Sequence, residues 1–205
     1  MRTLIVAEFI SLDGVIQAPG GPEEDPKGEF HLGGWAAPYD DEAIGQSGQD
    51  LYSQPFDLLL GRRTYDIWAP YWPQVPADSP ARGIADLFNS VRKLVATHRP
   101  ESLDWQNSHA LKGNITDAVA ALKRQGGASL LTWGSGDMVR QLLAAGLVDE
   151  LRLLIHPVVL GRGKRLFDDT AQPSAFTLAH SAITPGGVLI TRYVRSGEVR
   201  TGLYG

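Results

Sequence analysis

The hydrophobic positions of this chain fall into short runs separated by turns that carry glycine, proline or aspartate. Residues 2–10 are mostly apolar or β-branched and stop at Ser11-Leu12-Asp13-Gly14, which predicts a buried strand closed by a turn. Residues 17–38 crowd glycine, proline and acidic side chains together and predict a long surface loop, a length that usually accompanies function or mobility. Residues 39–53 open with Asp40 and Asp41, predicting a helix with an acidic first turn despite Gly45 and Gly48. Residues 56–60 form an apolar run that ends at Gly61, and residues 62–68 have helical character, so strand, glycine turn and helix follow one another.

The same alternation continues. Helices are predicted over 81–90, 114–125 and 137–145, the last capped by Gly146, and strands over 93–97 and 129–133. A further strand over 151–160 is broken by Pro157, and runs at 176–183 and 188–194 join at Pro185-Gly186-Gly187 as a hairpin. Helix and strand pairs of this kind suit crossovers to parallel neighbours. The expectation is an α/β fold, one domain over residues 1–205, with three layers around a central mixed, mainly parallel sheet that has an antiparallel edge.

Composition narrows the function classes. The 205 residues are 43% hydrophobic, enough for a sizeable core, and contain no cysteine, which excludes disulfides, thiolate metal sites and a cysteine nucleophile. The apolar start is too short for a signal peptide, and no run approaches the roughly 20 apolar residues of a membrane span. A formal net charge of -4 without a dominant basic stretch argues against nucleic acid as a partner. The expected protein is cytoplasmic, free of membrane contacts, and acts on a small molecule. Its five histidines show no helical metal-ligand spacing and no G-x-S-x-G elbow occurs, so neither a metal site nor a serine nucleophile is expected.

Three predicted strand ends carry polar or glycine-rich turns: Gly61-Arg62-Arg63-Thr64, Thr97-His98-Arg99 and Gly134-Ser135-Gly136. In an open parallel sheet these ends share one edge, so three turns can meet one ligand. Open helix starts after Gly61 and Gly134 favour an anion, and Arg62, Arg63 and Arg99 add charge suited to an extra ribose phosphate. Each turn alone is equally readable as a plain tight turn. Asp13 is either a turn residue bonded to its own backbone or an acid at the reacting end of the crevice. Trp68-Ala69-Pro70-Tyr71-Trp72 can form an apolar wall.

These residues resemble the dihydrofolate-reductase-like superfamily, and its riboflavin-biosynthesis reductase branch most closely. Ser11-Leu12-Asp13-Gly14-Val15-Ile16 resembles the first strand and loop, Leu60-Gly61-Arg62-Arg63-Thr64-Tyr65 the G-R-x-T-[YW] motif, and Trp133-Gly134-Ser135-Gly136 the pyrophosphate turn. The stretch from Val148-Asp149-Glu150-Leu151 through Leu166-Phe167 is similar to the branch's D-E-L…P-x-x-x-G-x-G-x-x-L-F signature.

The resemblance implies an eight-stranded sheet, NADPH across the strand ends, hydride transfer to a heterocyclic or ribosylamino-pyrimidine-type substrate, and commonly a homodimer. It assigns Gly61, Arg62, Arg63 and Thr64 to phosphates, Thr97, His98 and Arg99 to the adenosine end, and Gly134, Ser135 and Gly136 to the pyrophosphate. Asp13 becomes the candidate catalytic acid, while Asp41 and Trp68 become candidate substrate contacts. The branch's lysine on the first strand is replaced here by Ala7, and no zinc-deaminase motif occurs in this sequence. Two alternatives follow from these departures: a pterin or folate reductase using an acid between residues 40 and 50, and a nucleotide-binding module without turnover.

Overall fold

The computed structural model describes residues 1–204. Its strands are β1 (Leu4–Ser11), β2 (Phe56–Gly61), β3 (Lys93–Ala96), β4 (Ser108–Leu111), β5 (Ser129–Trp133), β6 (Glu150–His156), β7 (Ala175–Ile183) and β8 (Leu189–Gly197). Its helices are α1 (Glu42–Tyr52), α2 (Arg62–Tyr71), α3 (Arg82–Ser90), α4 (Ile115–Arg124) and α5 (Gly136–Ala144). All eight strands join one sheet in the order β4-β3-β2-β5-β1-β6-β8-β7. Neighbours from β4 to β6 pair parallel, and β8 runs antiparallel to both β6 and β7, the mixed sheet with an antiparallel hairpin edge that the sequence predicts.

Both faces of the sheet are covered. Val6, Leu130 and Leu151 pack on Val119 of α4 and on Met138, Val139 and Leu142 of α5. On the other face Ala7, Leu58, Leu131 and Leu154 pack on Ile44 of α1, Tyr65 of α2 and Phe88 of α3. The central strands are buried on both sides, which explains why their sequences read as continuous apolar runs rather than alternating ones. At their N-terminal ends the strands are tied by charge: buried Arg2 pairs with Asp57, and Lys123 pairs with Asp149, whose carboxylate also accepts the Leu4 N–H at 2.7 Å. This leaves the C-terminal ends as the open edge.

Three expectations need correction. β4 was not predicted; its four residues, Ser108-His109-Ala110-Leu111, are only half buried at the sheet edge and carry no apolar run. The strand predicted over 151–160 stops at His156, because Pro157 offers no N–H to the ladder. The loop over 17–38 is packed rather than bare: Phe30, Trp35 and Ala36 join Val15 and Ala18 in a small core of their own, and the Trp35 ring N–H donates to the Gln17 carbonyl at 2.8 Å.

Leu142 is fully buried between α5 and the sheet, whereas Leu178 on the edge strand β7 is 50% exposed. Leu142→Ala should destabilise the protein by about 2–5 kcal/mol through lost burial and the cavity left behind. Leu178→Ala should change stability by less than about 0.5 kcal/mol. Urea unfolding midpoints of the two variants check the contrast.

Candidate active site

The C-terminal ends of β1, β2, β3 and β5 open into one cleft of about 2680 Å³, lined by Gly61, Arg62, Arg63, Thr64, Thr97, His98, Gly134, Ser135 and Gly136 among others. A drug-sized ligand occupies a pocket of about 300–1,000 Å³, so this cleft has room for a dinucleotide and a second molecule. All three turns predicted to share a ligand do face the same space.

Two of those turns are bonded to each other. Ser135 Oγ accepts the Gly61 N–H at 2.9 Å, and the Ser135 N–H donates to Thr64 Oγ1 at 2.9 Å. The approach is close enough to require glycine. A Cβ on Gly134, whose φ is +58°, would meet Thr64 Oγ1 at 2.9 Å, and one on Gly61 would meet Ser135 Cβ at 3.3 Å. Ser135 itself holds a left-handed conformation, φ 56° and ψ 31°, which an L side chain adopts only when its surroundings impose it.

The turns lead into helices whose first N–H groups are left open. Asp41 caps α1 by accepting from Ile44 N, and Asn114 caps α4 by accepting from Thr116 N and Asp117 N. Neither α2 after Gly61 nor α5 after Ser135 has a side-chain cap. Unpaired N–H groups and the positive helix end together form an anion site, so these two starts suit phosphates.

The arginines are placed differently from expectation. Arg62 donates to Asp66 at 2.7 Å and to the Arg99 carbonyl at 3.0 Å, so its guanidinium ties α2 to the loop after β3. Arg63 pairs with Asp25 at 2.6 Å, and Lys164 reaches the other oxygen of the same carboxylate at 2.5 Å. These two cations hold Asp25 below the usual carboxylate range, against the burial that would raise it. The trio latches the 17–38 loop over the cleft. Arg99 is 61% exposed on Asp66 at 3.2 Å and does not line the cleft, although Thr97 and His98 beside it do.

Asp13 stands apart from the cleft. Its carboxylate accepts the Leu160 N–H at 3.0 Å, the Gly161 N–H at 2.8 Å and the Ser11 hydroxyl at 2.7 Å, and it is not among the cleft-lining residues. Desolvation alone would raise its pKa, but these donors outweigh it and hold the group far below the ordinary range. Through these bonds its carboxylate holds the 160–161 segment. Asp41 is likewise spent on capping α1 and lies outside the cleft; its neighbour Asp40 is at the rim.

The opposite half of the cleft is aromatic. Trp68 stacks on Phe88 with ring centroids 5.1 Å apart and meets Trp72 edge-on at 5.6 Å, forming the predicted wall. Phe9 stacks on Trp133 at 5.3 Å on the facing sheet surface. His156, fully buried, sits against Phe9, Trp35 and Tyr39; burial lowers its pKa, and Nδ1 donates to the Leu154 carbonyl at 2.9 Å.

The sequence reading missed Glu8, a charged residue within the first predicted strand. It is 2% exposed and lines the cleft; Oε2 accepts the Gly134 N–H at 3.0 Å, and Oε1 has no partner. Burial, reinforced by the nearby Glu24 charge, raises its pKa well above the ordinary 4.5, outweighing the Gly134 hydrogen bond. A charged residue inside a strand predicted to be buried was the available signal.

The chain is similar over nearly its whole length to known proteins. The family model of the RibD C-terminal domain matches residues 2–190. The uncharacterized protein YyaP of Bacillus subtilis is 28% identical over 196 residues, covering 96% of each chain. YwjB of the same organism, also uncharacterized, is 24% identical over 178 residues, covering 86% of this chain and 89% of its own. A solved structure from Shewanella sp. PV-4, provisionally assigned to riboflavin biosynthesis, superposes with a TM-score of 0.62 at 21% identity, covering 95% of this chain and 99% of that one. A pyrimidine reductase-like protein from Corynebacterium diphtheriae gives 0.57 at 15% identity, covering 96% and 93%. At these identities the two structures speak for the fold.

Glu8 also makes a stability prediction. A group with a raised folded-state pKa contributes stability that is present below its unfolded value and lost as pH rises through its folded value. Above pH 4.5 the wild type should therefore lose stability relative to Glu8→Gln by about 1.4 kcal/mol per pH unit, levelling off once Glu8 ionises in the folded protein. Urea unfolding of both proteins across that range is the check.

Proposed function

Because this chain belongs to the RibD C-terminal domain family, we propose that it is an NADPH-dependent reductase acting on a small heterocyclic or ribosylamino-pyrimidine-type molecule. One observation carries the reading: turns from three neighbouring parallel strands, two of them leading into uncapped helices, converge on one cleft. The glycine cradle at residues 61 and 134 and the open N–H groups of α2 and α5 fit a pyrophosphate. Gly61, Arg62, Arg63 and Thr64, with Gly134, Ser135 and Gly136, would hold the phosphates. Thr97 and His98 would meet the adenosine end, where Arg99 can leave its exposed pair with Asp66 at small cost. When bound, NADPH supplies the hydride.

The chain's own residues do the rest. The aromatic surfaces of Trp68, Trp72, Phe9 and Trp133 orient a flat ring. The 17–38 loop, latched through Asp25, excludes water from the reacting atoms. A pterin or folate reductase would need an acid between residues 40 and 50 facing the ring; Asp41 caps α1 instead, and Asp40 is the acid of that stretch that lines the cleft. A homodimer belongs to the same reading: β7 and β8 expose Leu178, Ile183, Leu189 and Val194 along the hairpin edge.

Tryptophan fluorescence quenching by NADPH and by NADH at fixed ionic strength tests the cofactor assignment. NADPH should bind at least about tenfold more tightly, about 1.4 kcal/mol, and Arg99→Ala should narrow that gap. Equal affinities would remove the NADPH preference, and no binding of either would remove the reductase reading.

A further inference from the structure

Successive side chains on a strand point to opposite faces of the sheet. On β1, Ala7 packs with Ile44 and Leu51 of α1, while Val6 and Ile10 pack with residues of α5. Glu8 therefore points away from the aromatic half, toward the turn that starts α5. The β1–β5 ladder ends at the pair Ala7 and Trp133, whereas β1 stays paired with β6 as far as Ser11 and His156. The sheet thus parts on one side of β1 where Glu8 stands, and its carboxyl bridges the gap to Gly134.

Among the acids on the cleft, Asp25, Asp66 and Asp137 each hold an arginine or lysine, whereas Glu8, Glu23, Glu24 and Asp40 have no cationic partner among the described residues; of these four Glu8 is the buried one. Its second oxygen is buried and unpartnered, in a residue that lines the cleft. A negative charge there would stand beside the turn that suits a pyrophosphate and repel it; a neutral carboxyl would offer an O–H donor.

Resting on the cofactor reading above, we propose that Glu8 contacts the bound dinucleotide as an uncharged hydrogen-bond donor beside the Gly134 turn, so that cofactor binding is coupled to proton uptake at this residue. The proton comes from solvent, and no covalent bond changes. The raised pKa of Glu8 is consistent with this state. Among neighbouring charged groups, Glu24 of the 17–38 loop acts in the same direction. Arg63 of α2 and Lys164 are held by Asp25, and Arg140 of α5 is held by Asp137 and Asp168. Gly134, Ser135 and Thr64, on the adjoining turn and helix, carry no charge.

The test is a titration of the full chain with NADPH between about pH 6 and pH 9, comparing wild type with Glu8→Gln. Whatever else titrates, the ribose phosphate included, does so in both proteins, so the ratio of the two dissociation constants isolates Glu8. That ratio, wild type over variant, should rise with pH, approaching about tenfold per pH unit once Glu8 ionises in the free protein. Calorimetry of the wild type in buffers of different ionisation enthalpy gives a readout independent of the variant's folding: net proton uptake should accompany binding at the alkaline end. A flat ratio without uptake, in proteins that bind NADPH tightly, overturns the inference and leaves the cofactor reading standing. Failure of both proteins to bind NADPH at any pH overturns the two together.

Discussion

The bond between two neighbouring turns organises this molecule's functional edge. Ser135 takes the N–H of Gly61 on its hydroxyl and gives its own N–H to Thr64, so the starts of α2 and α5 are fixed relative to each other. The left-handed backbone of Ser135 is tolerated because both partners hold it. Gly61 has no side chain to cap α2, and Ser135 uses its hydroxyl on the Gly61 N–H, so both helices start without a side-chain cap beside a common cleft. The uncapped ends leave stabilisation unrealised in the free protein that an anionic ligand can supply.

Charge around this edge is balanced before any ligand arrives. Arg62 braces the loop after β3, Arg63 and Lys164 converge on Asp25, and Arg140 is shared between Asp137 and Asp168. Asp25 is 6% exposed and Arg63 reaches it from α2, so the latch links the 17–38 loop directly to the Gly61–Thr64 turn. Glu8 lies outside this pairing, a buried acid bonded, among the described residues, to the amide of Gly134 alone.

Most of the fold was legible because its strands are buried on both faces and its helices carry one apolar stripe. β4 escaped because an edge strand of four half-buried residues has no pattern to detect. The glycine turns were legible because close approach leaves glycine little alternative, and their shared ligand face follows from strand order. What a side chain does at the end of an element was not legible. Asp13, Asp41, Arg62 and Arg99 have the right chemistry at the right place in the chain, but each direction is set by a contact distant in sequence or by a local cap. Glu8 lay inside a predicted strand of otherwise mostly apolar residues, and the pattern alone gave its charge no role.

The account's central claim is that the bonded turns at residues 61–64 and 134–136 form the phosphate site of a dinucleotide. A crystal structure of the protein with NADPH tests it most directly. The account predicts pyrophosphate oxygens about 3 Å from backbone N–H groups at the starts of α2 and α5, with the Ser135 bonds to Gly61 and Thr64 intact. A cofactor bound away from these turns, or turns that separate to admit it, would contradict the claim.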